Sequence, residues 1–254
     1  MTSSVSFRIG LVTSAILLSS IASFGNTISL GFTSLPSAQG WSFGGGGISC
    51  PLPESTLYSV SGGALHQNTL GCGGGFGSNT SGAGYQLNGV IASSQPFTIA
   101  VRTRVTAENT FYGGSVSHTG LGFGAEVNGK EYFIALGGGT IFGVDGSTNG
   151  FAGRVLSNSI DTTQYHSYLL SVGLGGAYTL SVDNTAIASG GGVATSPTVN
   201  DLFFGDASSR ANAQGDYASY VFRQGSVVTP EPCTLALLGT GMLGLVWRRR
   251  RKAA

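Results

Sequence analysis

From Asn26 to Thr229 the apolar residues fall in short runs of period two, and no long stretch carries the 3.6-residue period of an amphipathic helix. The clearest run is Phe97-Thr-Ile-Ala-Val-Arg-Thr-Arg-Val105. Successive side chains of a strand point to opposite faces. Phe97, Ile99, Val101 and Val105 therefore share one face, and Thr98, Ala100, Arg102 and Arg104 the other. Branched apolar residues on one side and cations on the other predict a half-buried strand. Runs at Leu121 to Val127 and Glu131 to Leu136 flank Asn128-Gly129, a dipeptide that tolerates the positive φ of a two-residue hairpin. A second hairpin is expected at Asp183-Asn184, between Tyr178 to Val182 and Thr185 to Ala188. Tyr165 to Val172, Asp201 to Gly205 and Tyr217 to Arg223 alternate in the same way. Short strands at even spacing with Gly-rich turns predict an all-β, two-sheet sandwich.

The region from Ser42 to Ala92 alternates less cleanly. Gly44 to Gly47 and Gly73 to Gly75 cost too much backbone entropy for strand interiors. Strands and long loops of the same domain are expected here, because Trp41, Phe43, Tyr58, Leu65 and Tyr85 require burial. A flexible linker is the alternative.

The two ends break the pattern. Arg8 precedes an apolar stretch from Ile9 to Ala22 that closes on small residues, with Ser23 and Gly25 at the −3 and −1 positions. That order predicts a secretory signal peptide over residues 1–25 and an exported domain over 26–226. At the other end, residues 227–254 hold Pro230-Glu231-Pro232, an uncharged run over 233–247, and Arg248-Arg249-Arg250-Arg251-Lys252. Two prolines within three residues forbid helix and impose an extended linker. The apolar run is helical in lipid but short of the roughly 20 residues of a full span, so the arginines must snorkel. The cations stop transfer and stay on the cytoplasmic side.

This tail resembles the PEP-CTERM sorting signal of Gram-negative bacteria, with Cys233 standing where Ser, Thr or Ala is more usual. The resemblance implies export through the Sec translocon, transient residence in the inner membrane and cleavage near Pro-Glu-Pro by an exosortase-type membrane protease. Release or attachment at the cell surface, often among exopolysaccharide, would follow. A permanent tail anchor is the alternative. Within the domain, the strand at Phe97–Val105, the hairpin from Gly122 to Leu136, Tyr165 to Leu170 leading to Tyr178–Val182, and Leu202-Phe-Phe-Gly-Asp206 resemble the concanavalin A-like or laminin-G-like jelly roll. That resemblance implies glycan, protein or calcium binding, or polysaccharide cleavage, without choosing among them.

Charge takes on meaning once the ends are removed. The chain has 12 Lys+Arg and 11 Asp+Glu. Without Arg8, the five terminal cations and Glu231, the exported segment keeps 6 basic and 10 acidic residues, a net of −4. It offers no basic patch, which excludes nucleic acid as a partner. Only 9% of residues are charged, which suits a crowded matrix or an assembled layer and equally fits a Gly- and Ser-coated β-domain. Cys50 and Cys72 lie in the exported segment, where an oxidising compartment favours a disulfide over two free thiols. Closing that loop stabilises by roughly 3 kcal/mol in the entropic account.

Candidate chemistry is sparse. A glycosidase needs two carboxylates across the scissile bond, and no acids stand at i, i+2 or i+4. Glu126 and Glu131 flank the Asn128-Gly129 turn and read as its solvated shoulders, and Glu108 reads as a loop residue. His66, His118 and His166 lack zinc spacing, and His166 reads as a surface or interface residue of a strand. A Ser-His-Asp triad is a spatial arrangement that one sequence does not display. No phosphate-binding loop, nucleophile elbow or internal repeat is present. Asp201, Asp206 and Asp216, with Asn200 and Asn212, are the candidate calcium ligands around the loop Ala207 to Gly215. Trp41, Tyr112, Phe151, Tyr165 and Tyr217 are the aromatic candidates for stacking on sugar rings. The expectation is an exported, non-enzymatic structural or glycan-contacting protein of the cell surface or matrix. A secreted polysaccharide-active enzyme is the alternative.

Overall fold

The alternation becomes two stacked antiparallel sheets. The computed structural model describes residues 25–44, 50, 52–72, 83–110, 120–144, 153–195, 199–206 and 211–225. Among them, sheet I contains β1 (Thr27–Leu30), β3 (Tyr58–Ser61), β4 (Ala64–Asn68), β6 (Phe97–Thr110), β11 (His166–Val172), β12 (Ala177–Val182), β13 (Thr185–Gly191) and β16 (Ala211–Gln224). Sheet II contains β2 (Ser42–Phe43), β5 (Gly84–Asn88), β7 (Gly122–Val127), β8 (Lys130–Gly137), β9 (Thr140–Val144), β10 (Gly153–Ser157), β14 (Val193–Ala194) and β15 (Asp201–Gly205). One helical turn, α1 (Glu54–Leu57), precedes β3.

Sheet I runs β13-β12-β11-β6-β16-β4-β3. Its spine is the β6–β16 pair, each strand 14 residues long. The other edge of β16 is shared in tandem, with β4 pairing to Gln214–Tyr217 and β1 to Tyr220–Arg223. Sheet II runs β10-β9-β8-β7-β15-β5-β2, with β14 added beside β8. Among the described residues, three two-residue hairpins have positive φ at both turn residues: Gly62-Gly63, Asn128-Gly129 and Asp183-Asn184. The last two stand where the sequence predicts them. In such turns the backbone twist matches that of the flanking strands.

The inward faces meet in one aromatic core. Phe204 of sheet II touches Tyr217 and Tyr220 of sheet I at 5.2 and 5.0 Å between ring centroids, and Phe97 meets Tyr132 at 5.8 Å. Each such pair adds about 0.5–1.5 kcal/mol beyond area burial. On β6, Phe97, Ile99, Val101 and Val105 are buried as the alternation predicts. Trp41 and Tyr217 are also buried, at 3% and 0% exposure. They are core residues, which removes them as sugar-stacking candidates.

Among the described residues of the early region, Tyr58, Leu65 and Tyr85 are buried in the same core. A disulfide joins Cys50 to Cys72 across 5.0 Å between Cα atoms and brackets α1 and the β3–β4 hairpin. Further differences concern lengths. Strand β6 continues to Thr110, so Glu108 lies in a strand, where it accepts a hydrogen bond from the Gly138 N–H at 3.1 Å. Burial pushes its carboxyl upward. Strand β16 begins at Ala211, within the expected loop. Strands β1, β9, β10 and β14 add to the expected set: β9 and β10 continue sheet II from β8 as successive chain neighbours, whereas β1 beside β16 and β14 beside β8 pair with strands distant in sequence.

No helix among the described residues is long and apolar enough to cross a membrane. The expected signal peptide, membrane helix, Pro230-Glu231-Pro232 and basic tail, with His118, Tyr112 and Phe151, lie outside the described residues.

Candidate functional site

The two outer faces carry the chemistry. On sheet I, register aligns Ser59 (β3), His66 (β4), Asp216 (β16) and Arg104 (β6) in one cross-strand row. Asp216 lies between two register shifts of β16, and bulges of this kind re-aim a side chain. Its Oδ1 is 2.7 Å from His66 Nδ1, and Arg104 Nε donates to Oδ2 at 2.7 Å. Burial favours its neutral form, but the bonds from His66 and Arg104 outweigh this and hold its carboxyl below the usual range.

The other ring nitrogen of His66, Nε2, lies 2.7 Å from Ser61 Oγ and 3.3 Å from the Ser61 carbonyl oxygen. In the tautomer whose Nδ1–H donates to Asp216, the Nε2 lone pair accepts from the serine hydroxyl. Ser61 is exposed and ends β3 directly before Gly62-Gly63. At the far end of the row the Arg104 guanidinium lies 4.6 Å from the centre of the Tyr165 ring, with that of Arg102 at 5.0 Å. A hollow of 390 Å³ opens beside His66 and Asp216, lined by Ser55, Thr56, Ser59, Asn68 and Gln214.

The outer face of sheet II is acidic and close-packed. Register aligns Asn88, Asp201, Glu126 and Glu131 across β5, β15, β7 and β8. Glu126 and Glu131 are half-buried cross-strand neighbours, which corrects their reading as solvated shoulders of the turn. Burial, with the charges of Glu126 and Asp201, pushes the Glu131 carboxyl up to about 7. Thr195 donates to Glu126 and Gln86 to Asp201. Asp201 is 2% exposed, and burial raises its pKa as well. Beside this row Phe133 and Phe203 pack 5.4 Å apart over Gly122 and Gly124. A Cβ on Gly124 would stand 2.2 Å from the Tyr132 carbonyl oxygen and 2.9 Å from the Phe203 ring.

The calcium set does not converge. Asp201 lies on the outer face of sheet II, Asp216 on that of sheet I, and Asp206 accepts from the Thr69 hydroxyl at 2.5 Å in the buried region between. Among the described residues no group of three His, Cys, Asp or Glu side chains is placed to hold a metal ion. Sequence neighbours on alternating strands diverge to different faces, so the three carboxylates do not share one ion. His166 is 2.6 Å from Asp183 through Nδ1 and 3.0 Å from the Asp161 carbonyl through Nε2, so both ring nitrogens face acceptors. Tyr165 is the one stacking candidate among the described residues that remains on an outer face, half-buried beside its arginines.

Two face-to-face antiparallel sheets with a shared aromatic core define a jelly-roll β-sandwich. A carbohydrate esterase from the Shiga toxin-encoding bacteriophage phi24B has a similar fold, with 13% identity, 80% of this chain and 100% of that chain covered, and a TM-score of 0.51. An endo-β-1,3-glucanase from Pyrococcus furiosus aligns at 13% identity over 80% of this chain and 95% of that chain, TM-score 0.49. A β-1,3-1,4-glucanase (lichenase) from a mouse hindgut metagenome aligns at 12% identity over 78% and 98%, TM-score 0.48. At such identities the likeness concerns the fold alone. Residues 228–251 match the PEP-CTERM protein-sorting motif. No curated protein matches the chain in sequence.

Proposed function

We propose that this chain is exported as a precursor, sorted through its C-terminal motif, and serves at the cell surface or in the extracellular matrix as a structural or glycan-contacting β-sandwich. The match of residues 228–251 to the PEP-CTERM protein-sorting motif carries the reading. The signal peptide over 1–25 directs the chain to the Sec translocon. The helix over 233–247 holds it in the inner membrane, with Arg248 to Lys252 on the cytoplasmic side. The Pro230-Glu231-Pro232 segment offers an extended backbone to an exosortase-type protease. Glycan contact is supported by Tyr165, half-buried on an outer face with two guanidinium groups over its ring, and by the hydroxyl- and amide-lined hollow on the same sheet. Exopolysaccharide is the partner this predicts, and contact of this kind needs no catalytic step.

Mass spectrometry of the protein recovered from cells tests the sorting. Loss of Arg248 to Lys252 is expected, whereas a retained tail would replace sorting by permanent anchoring. Co-sedimentation of the recovered protein with purified exopolysaccharide tests the contact.

A secreted polysaccharide-active enzyme is the second reading. It is favoured by the row Asp201–Glu126–Glu131, in which the raised carboxyls of Glu131 and Asp201 flank Glu126 on a single sheet face. Cross-strand neighbours have Cβ atoms about 4.5–5.5 Å apart, within reach of the carboxylate separations used in glycoside hydrolysis. Release of reducing sugar that disappears in Glu131→Gln would select this reading.

A further inference from the structure

We propose that Ser61, His66 and Asp216 form a nucleophilic site that hydrolyses O-acyl esters of sugars. This goes beyond surface contact, stands on sheet I, and does not use the acidic row of sheet II. Three links carry it. Asp216 Oδ1 fixes His66 through Nδ1 at 2.7 Å, and His66 Nε2 meets Ser61 Oγ at 2.7 Å. Arg104, bonded to Asp216 Oδ2 at 2.7 Å, holds the carboxylate in place from the far side. Nucleophile and base within hydrogen-bond reach, with the base oriented by a third group, is the geometry of an activated serine. The Ser61 carbonyl at 3.3 Å from Nε2 is the weaker alternative partner of the ring.

His166 supplies a contrast within the protein. It too pairs with an aspartate, but its second nitrogen faces a backbone carbonyl, which has no proton to give. The histidine that meets a hydroxyl is the one whose serine is exposed.

The surroundings define the substrate. Gly62 and Gly63 form a two-residue turn with φ 58° and 77° directly after Ser61. The N–H groups of such central turn residues lie outside the strand ladder. They are available to an oxyanion developing next to Ser61. The hydroxyl stands exposed at the hairpin end, and a small acyl group such as acetyl is the acyl part assigned to it. The 390 Å³ hollow is lined by His66 and Asp216 and is assigned to the alcohol part of the ester. Its hydroxyl and amide lining matches a sugar.

The reaction balances with water as co-reactant. Ser61 Oγ attacks the ester carbonyl carbon while its proton passes to His66 Nε2. The bond from that carbon to the sugar oxygen breaks, and His66 returns the proton to the leaving oxygen, giving acyl-Ser61 and free sugar. Water then attacks the acyl carbon, again deprotonated by His66, and the bond to Ser61 Oγ breaks as Oγ regains the proton. The products are a carboxylic acid and the alcohol.

The test uses the full chain in detergent with a fluorophosphonate probe, p-nitrophenyl acetate and an O-acetylated polysaccharide. One covalent adduct is expected, mapped by peptide mass spectrometry to Ser61. Acetate release should fall at least about 100-fold in Ser61→Ala and His66→Gln and stay unchanged in His166→Gln. Ser61 is exposed at a turn, so its alanine variant folds, and unchanged thermal melting verifies this. An adduct on another serine, no adduct at all, or equal acetate release by the Ser61→Ala protein each overturns the proposal. Because the purified chain is used, failure here is separate from failure of the sorting or contact reading.

Discussion

The two outer faces of the sandwich use the same register logic for opposite ends. On sheet I the polar row is paired and open: Asp216 is paired with the Arg104 cation and hydrogen-bonded to His66, Arg102 is exposed, and a hollow lies alongside. On sheet II the row Asp201–Glu126–Glu131 gathers three acids without a cation in the row, beside phenylalanines seated on glycines. The difference teaches what each face tolerates. Opposite charges side by side keep their ionised forms near water, whereas like charges under burial are driven toward protonation. The first arrangement leaves a histidine ready to handle a proton, and the second stores strain in ionisation.

Perturbations of the two faces should separate them. The largest effect is expected at the staple of the sheet I edge. Replacing Cys50 and Cys72 by alanine removes the bond that brackets the β3–β4 hairpin and should cost roughly 3 kcal/mol. Melting of the variant against the oxidised parent measures it, and a shift below a degree would show the hairpin is held without the disulfide. Next comes Gly124→Ala on sheet II, where the new Cβ meets backbone. Overpacking of this kind costs about 1–3 kcal/mol, whereas Ser59→Ala on exposed sheet I should stay within about 0.5 kcal/mol. Equal denaturation midpoints for these two variants would erase the contrast.

The Glu131 carboxyl gives a pH signature of intermediate size. With its folded pKa raised to about 7, the native state binds the proton more tightly than the unfolded chain. Stability contributed by that proton is fully present below the ordinary carboxylate range and is lost as pH rises from there through about 7. After allowance for its partial exposure the loss is roughly 1–2 kcal/mol. Melting curves between pH 4 and 8 should slope downward in the parent and flatten in Glu131→Gln; an identical slope would mean the carboxyl ionises freely. Arg102→Ala, which removes one guanidinium from the Tyr165 ring, is expected to cost about 0.5–1 kcal/mol, little more than the Ser59→Ala control. Chemical denaturation resolves it against Arg104→Ala, which also deprives Asp216 of a partner and should cost more.

Much of this was legible before folding. The strand Phe97–Val105 and the turns Asn128-Gly129 and Asp183-Asn184 follow from period and turn chemistry, because both act over a few residues. The carboxylate row was half legible. A two-residue turn at Asn128-Gly129 pairs Val127 with Lys130 and therefore Glu126 with Glu131. Reading these acids as turn shoulders missed what the register already implied. The turn Gly62-Gly63 likewise places Ser59 opposite His66. Asp216 stands 150 residues from His66, and nothing local announces that pairing.

The sequence by itself determined the β class, the hairpins, the pair of cysteines and the sorting motif, all of them properties of short windows. The tertiary structure decided which strands become neighbours, and with that which acids gather, which aromatics are buried and which serine meets a histidine. The physical reason is that strand order is set by how two apolar faces close on one another across the whole chain. Side-chain chemistry on the outer faces is inherited from that closure.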